Sequence, residues 1–266
     1  MTATEETAGP PILTIDGTVA TLRLARPRHL NRIEPEDLVS LHESLDRLEA
    51  MRSVRVLVLT GTGRAFSSGY HLGDLARRSA APAAAEPEDG GETAFERLAN
   101  RIEDFALPTI CRLNGGVYGG STDLALACDF RIGTELTKMF MPAARLGLHY
   151  YRGGMVRYVT RLGPDAAKRL FLTAETLEAA EMLRIGYLTD LVPSAELDSR
   201  VADLAGRIAA NAPRVTQAMK CTINEIARGD LDRAEANRRH HDSLRGAEIA
   251  EGMRAFREKR APVFED

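Results

Sequence analysis

The stretch NGGVYGGSTDLALACD, residues 114–129, decides how the chain is read. It follows a β-rich segment at 109–113 and runs into 121–127, which reads as a helix. The first N–H groups of a helix have no internal partner and carry partial positive charge, so a Gly-rich strand-to-helix junction offers donors to an anion. A second junction of this kind, RAFSSGYHLGDL at 64–75, follows the apolar strand at 54–60, VRVLVLT. Two such junctions on neighbouring strands bring two N–H donors to one oxygen, the arrangement of an oxyanion hole.

Outward from these junctions, strands and helices alternate. Residues 11–16 and 19–24 read as a hairpin about Gly17. Residues 34–51 read as a helix with Leu38, Leu41, Leu45 and Leu48 on one face. A short helix is expected over 71–78 and a loop over the Ala/Pro/Glu/Gly-rich stretch 80–91. An amphipathic helix covers 93–105, and short strands cover 130–133, 138–141 and 190–193. Helices dominate from 155, with a break at Gly163-Pro164 and four segments at 197–210, 213–227, 231–245 and 247–258. The expectation is a disordered leader over 1–10, an α/β core over 11–200 and a helical region over 201–266.

Composition narrows the function. The net charge of −3 lacks the cationic excess of a nucleic-acid binder, and the chain has no Trp and 5% aromatic residues. Three cysteines, Cys111, Cys128 and Cys221, form neither a disulfide framework nor a zinc motif. Adjacent His240 and His241 do not share a helix face, and Gly61-Thr62-Gly63 lacks the third glycine of a dinucleotide fingerprint. No signal peptide and no apolar membrane span is read, which makes a cytoplasmic protein with no membrane partner the expectation. A small-molecule enzyme remains.

With RPRHLNRI at 26–33 and GMRAFREKRAPVF at 252–264, the two junctions resemble the enoyl-CoA hydratase/isomerase (crotonase) superfamily over nearly the whole chain. The resemblance implies a spiral of ββα units with a helical C-terminal trimerisation region, and a homotrimer or dimer of trimers. It implies an acyl-CoA substrate, with coenzyme A as part of that substrate and no other cofactor or metal. The oxyanion donors become the backbone N–H groups of Tyr70 and Gly120, which would stabilise a thioester enolate. The coenzyme and acyl contacts become Arg26, Arg28, Leu30, Ser68, Gly69, His71, Leu72, Tyr118, Pro142, Ala143 and Lys259.

The chain departs from the family's pattern where the chemistry is. The first catalytic glutamate of the hydratases corresponds to Asp123, three residues beyond Gly120, and the second to Ala143 in MFMPAARLG, 139–147. A methyl group transfers no proton, so hydration by two carboxylates loses a partner. Asp123 is then expected to point into the pocket as the remaining acid/base. The segment LGLHYYRGG, 146–154, supplies His149, Tyr150 and Tyr151 as hydrogen-bond donors, general acids or pocket lining. The readings are an enoyl-CoA hydratase- or isomerase-like enzyme, with a malonyl- or methylmalonyl-type CoA decarboxylase and a non-catalytic acyl-CoA-binding protein as alternatives.

Overall fold

The computed structural model describes residues 9–73 and 92–265. Most of the expected helix at 71–78, the whole expected loop 80–91 and most of the leader lie outside the described residues.

Strands β1 (Ile12–Asp16) and β2 (Val19–Leu24) form the antiparallel hairpin. Gly17, with φ at +55°, makes the turn in a region that costs a side chain energy. Beyond it, β3 (Val56–Gly61), β5 (Thr109–Arg112), β7 (Phe130–Thr134) and β10 (Asp190–Val192) add in parallel, completing a six-stranded sheet in the order β1-β2-β3-β5-β7-β10. Every residue of β3 is buried, which is why that strand reads as an unbroken apolar run.

A second sheet holds β4 (Ala65–Ser67), β6 (Gly116–Tyr118), β8 (Lys138–Phe140) and β9 (Thr176–Glu178). The chain passes from β3 to β4, from β5 to β6 and from β7 to β8. Each passage leaves the first sheet for the second, and two of them lead on into a helix. This repeated turn is the spiral expected from the sequence.

Helix α1 (Pro35–Glu49) buries Leu38, Leu41, Leu45 and Leu48, the face its spacing marks. Glu34 and Asp37 close a reciprocal capping box at its start. Helices α2 (Ala94–Asp104), α3 (Ser121–Ala127) and α4 (Arg152–Thr173) pack on one another around the second sheet. Within α4 the expected break is a kink at Gly163, whose φ is +81°, followed by Pro164. Helix α5 (Ala179–Arg184) leads to β10.

Helix α6 (Leu197–Ala209) buries Leu197, Val201 and Ala205 against Val56, Val58, Ile110 and Ile132 of the first sheet. The expected boundary at residue 200 therefore falls inside a helix that belongs to the core. Helices α7 (Pro213–Arg228), α8 (Arg233–Ser243) and α9 (Ala247–Glu258) follow, and α7 reaches back to α2 and α4. Among the described residues no helix is long and apolar enough to cross a membrane.

Candidate active site

The two Gly-rich junctions lie side by side, and hydrogen bonds lock them together. Ser121 donates to Ser67 at 2.5 Å, Ser67 donates to the Asn31 carbonyl at 2.7 Å, and the Gly69 N–H donates to Ser67 Oγ at 3.1 Å. Asn31 and Asn114 brace the corner from β3 to β4. Asn31 donates to the Thr62 and Ala65 carbonyls, and Asn114 donates to those of Gly63 and Ala65. A methyl on Gly69, whose φ is +93°, would stand 2.8 Å from the Tyr118 carbonyl and 3.1 Å from the Gly120 nitrogen. Only glycine permits that approach.

Neighbouring segments hold the backbone around the two expected donors. Ile33 forms a parallel bridge with Tyr70, bonding the Gly69 carbonyl at 2.9 Å and the His71 N–H at 3.1 Å. That pattern turns the N–H of Tyr70 itself away from Ile33. In α3 the Thr122 and Asp123 N–H groups bond back to Gly119 and Gly120, so the open end of the helix is Gly120 and Ser121. Tyr70 and Gly120 both line one cavity of about 360 Å³.

Of the residues expected in the site, Ser68, Tyr70, Leu72, Tyr118, Gly120, Pro142, Ala143, His149 and Tyr150 line that cavity. Tyr151, Phe95, Phe140 and Leu148 complete much of the wall. No described residue in the lining is an aspartate or glutamate. A larger groove of about 680 Å³ lies among the C-terminal helices, against Arg214, Arg239, Asp242 and Glu251. It contains none of the expected site residues.

Asp123 departs from expectation. Its side chain is wholly buried, and it does not line the cavity. Arg157 clamps it, with Nε 3.0 Å from Oδ1 and Nη2 2.7 Å from Oδ2, and the Tyr151 hydroxyl donates to Oδ2 at 2.6 Å. Arg157 also donates to Glu103 at 3.1 Å and to Asn100 at 2.9 Å. Burial works against the Arg157 charge, but Asp123 and Glu103 outweigh it and push the guanidinium above its usual range. Tyr151 therefore stands between the carboxylate and the cavity.

The tyrosines form a relay of donors. Tyr151 gives its proton to Asp123, and Tyr150 gives its own to the Tyr151 oxygen at 3.1 Å. Their rings stack with centroids 4.2 Å apart. Burial raises both hydroxyls well above the ordinary phenol range, followed by Tyr151 and then Asp123 for Tyr150 and by Asp123 for Tyr151.

His149 is the opposite case. It is exposed, lines the cavity, and places Nδ1 2.8 Å from the Tyr150 carbonyl. A carbonyl only accepts, so Nδ1 donates this bond, and the neutral tautomer compatible with it has its lone pair on Nε2.

The expected coenzyme contacts divide as well. Arg26 is occupied by Asp37, at 2.8 and 2.9 Å, and by Glu36 at 2.9 Å, so it is part of the α1 cap and not a free cation. His71 does not line the cavity; its Nδ1 sits 3.0 Å from Glu34. Arg28 and Lys259 are exposed, and Leu30 is half-buried; none of the three lines the cavity in this chain. Sequence reasoning missed Arg157, Phe95 and the bracing by Ser67 and Ser121. The one signal for Arg157 is a charged residue on the otherwise inward face of α4, beside buried Tyr158.

The family model described as Enoyl-CoA hydratase/isomerase matches residues 14–266. The chain is 31% identical over 256 residues to the crotonyl-CoA hydratase of Syntrophomonas wolfei, covering 95% of this chain and 96% of that one. It is 33% identical over 251 residues to a putative enoyl-CoA hydratase of Thermus thermophilus, covering 93% and 98%. Among solved structures, an enoyl-CoA hydratase/carnithine racemase of Magnetospirillum magneticum superposes with a TM-score of 0.87 at 27% identity, covering 97% of this chain and 96% of that one.

Proposed function

Because this chain belongs to the enoyl-CoA hydratase/isomerase family, we propose that it acts on an acyl-CoA thioester whose carbonyl oxygen is held by the Tyr70 and Gly120 N–H groups. In this reading the donors stabilise the enolate, and His149 Nε2 moves one proton at the α-carbon. The observation that carries it is the cavity wall: a histidine with a committed Nδ1 proton and no aspartate or glutamate among the described lining residues. One acid–base group suits α-proton transfer and double-bond isomerisation better than hydration by two carboxylates in concert.

Decarboxylation of a malonyl- or methylmalonyl-type CoA is less well supported. Tyr150, the hydroxyl that would orient the leaving carboxylate, already donates to Tyr151. The assembly in this reading is a homotrimer or dimer of trimers, supported by the exposed apolar residues Met219, Ile223, Ile226 and Phe256 on α7 and α9. Incubation with crotonyl-CoA, but-3-enoyl-CoA and methylmalonyl-CoA, followed by product mass and chromatography, tests the reaction. The expected result is conversion of but-3-enoyl-CoA to its conjugated isomer. Loss of carbon dioxide from methylmalonyl-CoA would establish the decarboxylase instead, and binding of all three without turnover would leave a non-catalytic acyl-CoA binder.

A further inference from the structure

The proton transfer at His149 leaves one buried cluster without a task. Asp123, Arg157, Glu103 and Asn100 lie outside the cavity, directly behind Tyr151. Resting on the acyl-CoA reading of the cavity, we propose that Arg157 is a positioning residue that sets which acyl groups are admitted. It holds Asp123, Asp123 holds the Tyr151 hydroxyl, and Tyr151 holds Tyr150. The stacked pair is thereby fixed as one wall of the acyl cavity.

The chain of contacts is continuous. Arg157 meets Asp123 through two parallel N–H···O bonds, the geometry that fixes both planes. The guanidinium is itself fixed from α2 by Glu103 and Asn100. Asp123 is one methylene shorter than glutamate, so its carboxylate stays back near α4 instead of reaching past Tyr151. On the other side, a methyl on Gly154 would stand 2.4 Å from the Tyr150 ring and 2.8 Å from the Tyr151 ring. The helix backbone is thus pressed against the pair, and Phe171 adds a ring 5.2 Å from Tyr150.

The wall is also chemically selective. Both phenol protons are spent within the relay, so it presents ring surface and no hydroxyl donor to the cavity. The substrate class that fits is an acyl-CoA with an apolar, unfunctionalised acyl group of limited length. A hydroxylated or carboxylated tail would leave its polar atoms unpaired against this wall.

Calorimetric titration of the full chain with butyryl-CoA, decanoyl-CoA and free CoA tests this. The wild type should bind butyryl-CoA more tightly than decanoyl-CoA. In Arg157→Met and in Tyr151→Ala that preference should fall by about tenfold or more, with free CoA unchanged. Arg157→Lys, which keeps the charge, should regain part of the preference. The clamp has its own readout. Asp123 faces Arg157 and Tyr158 of α4 and Tyr151 at its N-cap, with Glu103 behind the arginine. In Arg157→Met the buried carboxyl loses its cation, so Tm should rise as pH is lowered from neutrality, and Asp123→Asn/Arg157→Met should lose that dependence.

If Arg157→Met does not fold, Tyr151→Phe breaks the same chain and should weaken the preference. Undiminished preference for butyryl-CoA in folded Arg157→Met and Tyr151→Ala overturns the inference. A wild type that binds none of the three thiols and thioesters overturns the acyl-CoA reading beneath it.

Discussion

His149, on the loop before α4, lines the cavity, whereas Asp123 on α3 lies behind its wall, and their surroundings differ as sharply as their positions. Asp123 is wholly buried, receives three hydrogen bonds and pairs with Arg157. His149 is exposed, makes one hydrogen bond through Nδ1, and leaves Nε2 with a lone pair on a cavity wall. A buried carboxylate in a bidentate pair has both oxygens committed to its partners and none turned to the cavity. A histidine with one ring nitrogen anchored still offers the other to a substrate. Residue type alone would favour the carboxylate; its partners support the proposed proton transfer at the histidine instead.

Removing the cation from the first region should break the contrast most severely. Arg157→Met leaves a buried unpaired charge, and denaturant unfolding near neutral pH should show a loss of about 3–5 kcal/mol. A smaller effect comes from the tyrosines beside it. Tyr150, Tyr151, Tyr158 and Tyr187 have phenol pKa values raised chiefly by burial. A group whose folded pKa lies above its unfolded value contributes stability in full below the unfolded value, which is about 10 for tyrosine. That stability is lost as pH rises further. Thermal unfolding should therefore show Tm holding up to about pH 10 and falling above it, with a shallower fall in Tyr151→Phe. The smallest effect belongs to the second region. His149→Gln changes an exposed side chain, and its stability should stay within about 0.5 kcal/mol of wild type.

The sequence carried the first sheet well and the second poorly. β2 and β3 are long and apolar enough to read directly, whereas β4, β6 and β9 are three residues each, and the first two sit inside Gly- and Ser-rich runs that resemble loops. The proposed oxyanion donors are backbone groups, so the junctions and the family motif are enough to nominate them from the sequence. Side-chain roles were less so. Three residues beyond Gly120 gives the distance along α3 to Asp123 but not what waits opposite it, and Arg157 is 34 residues further on. Arg26 reads as a free cation until Asp37 and Glu36, at the start of α1, are seen to hold it. His71 is likewise taken by Glu34 of the same cap.

The most direct measurement is deuterium uptake at the α-carbon of butyryl-CoA in D₂O, followed by mass spectrometry. It compares wild type, His149→Gln and Asp123→Asn at a temperature where circular dichroism shows all three folded. The expected result is exchange slowed by about 10²–10⁴ in His149→Gln and kept within about tenfold of wild type in Asp123→Asn. Exchange that persists in His149→Gln and disappears in folded Asp123→Asn would return the proton to the carboxylate and contradict the assignment made from its burial.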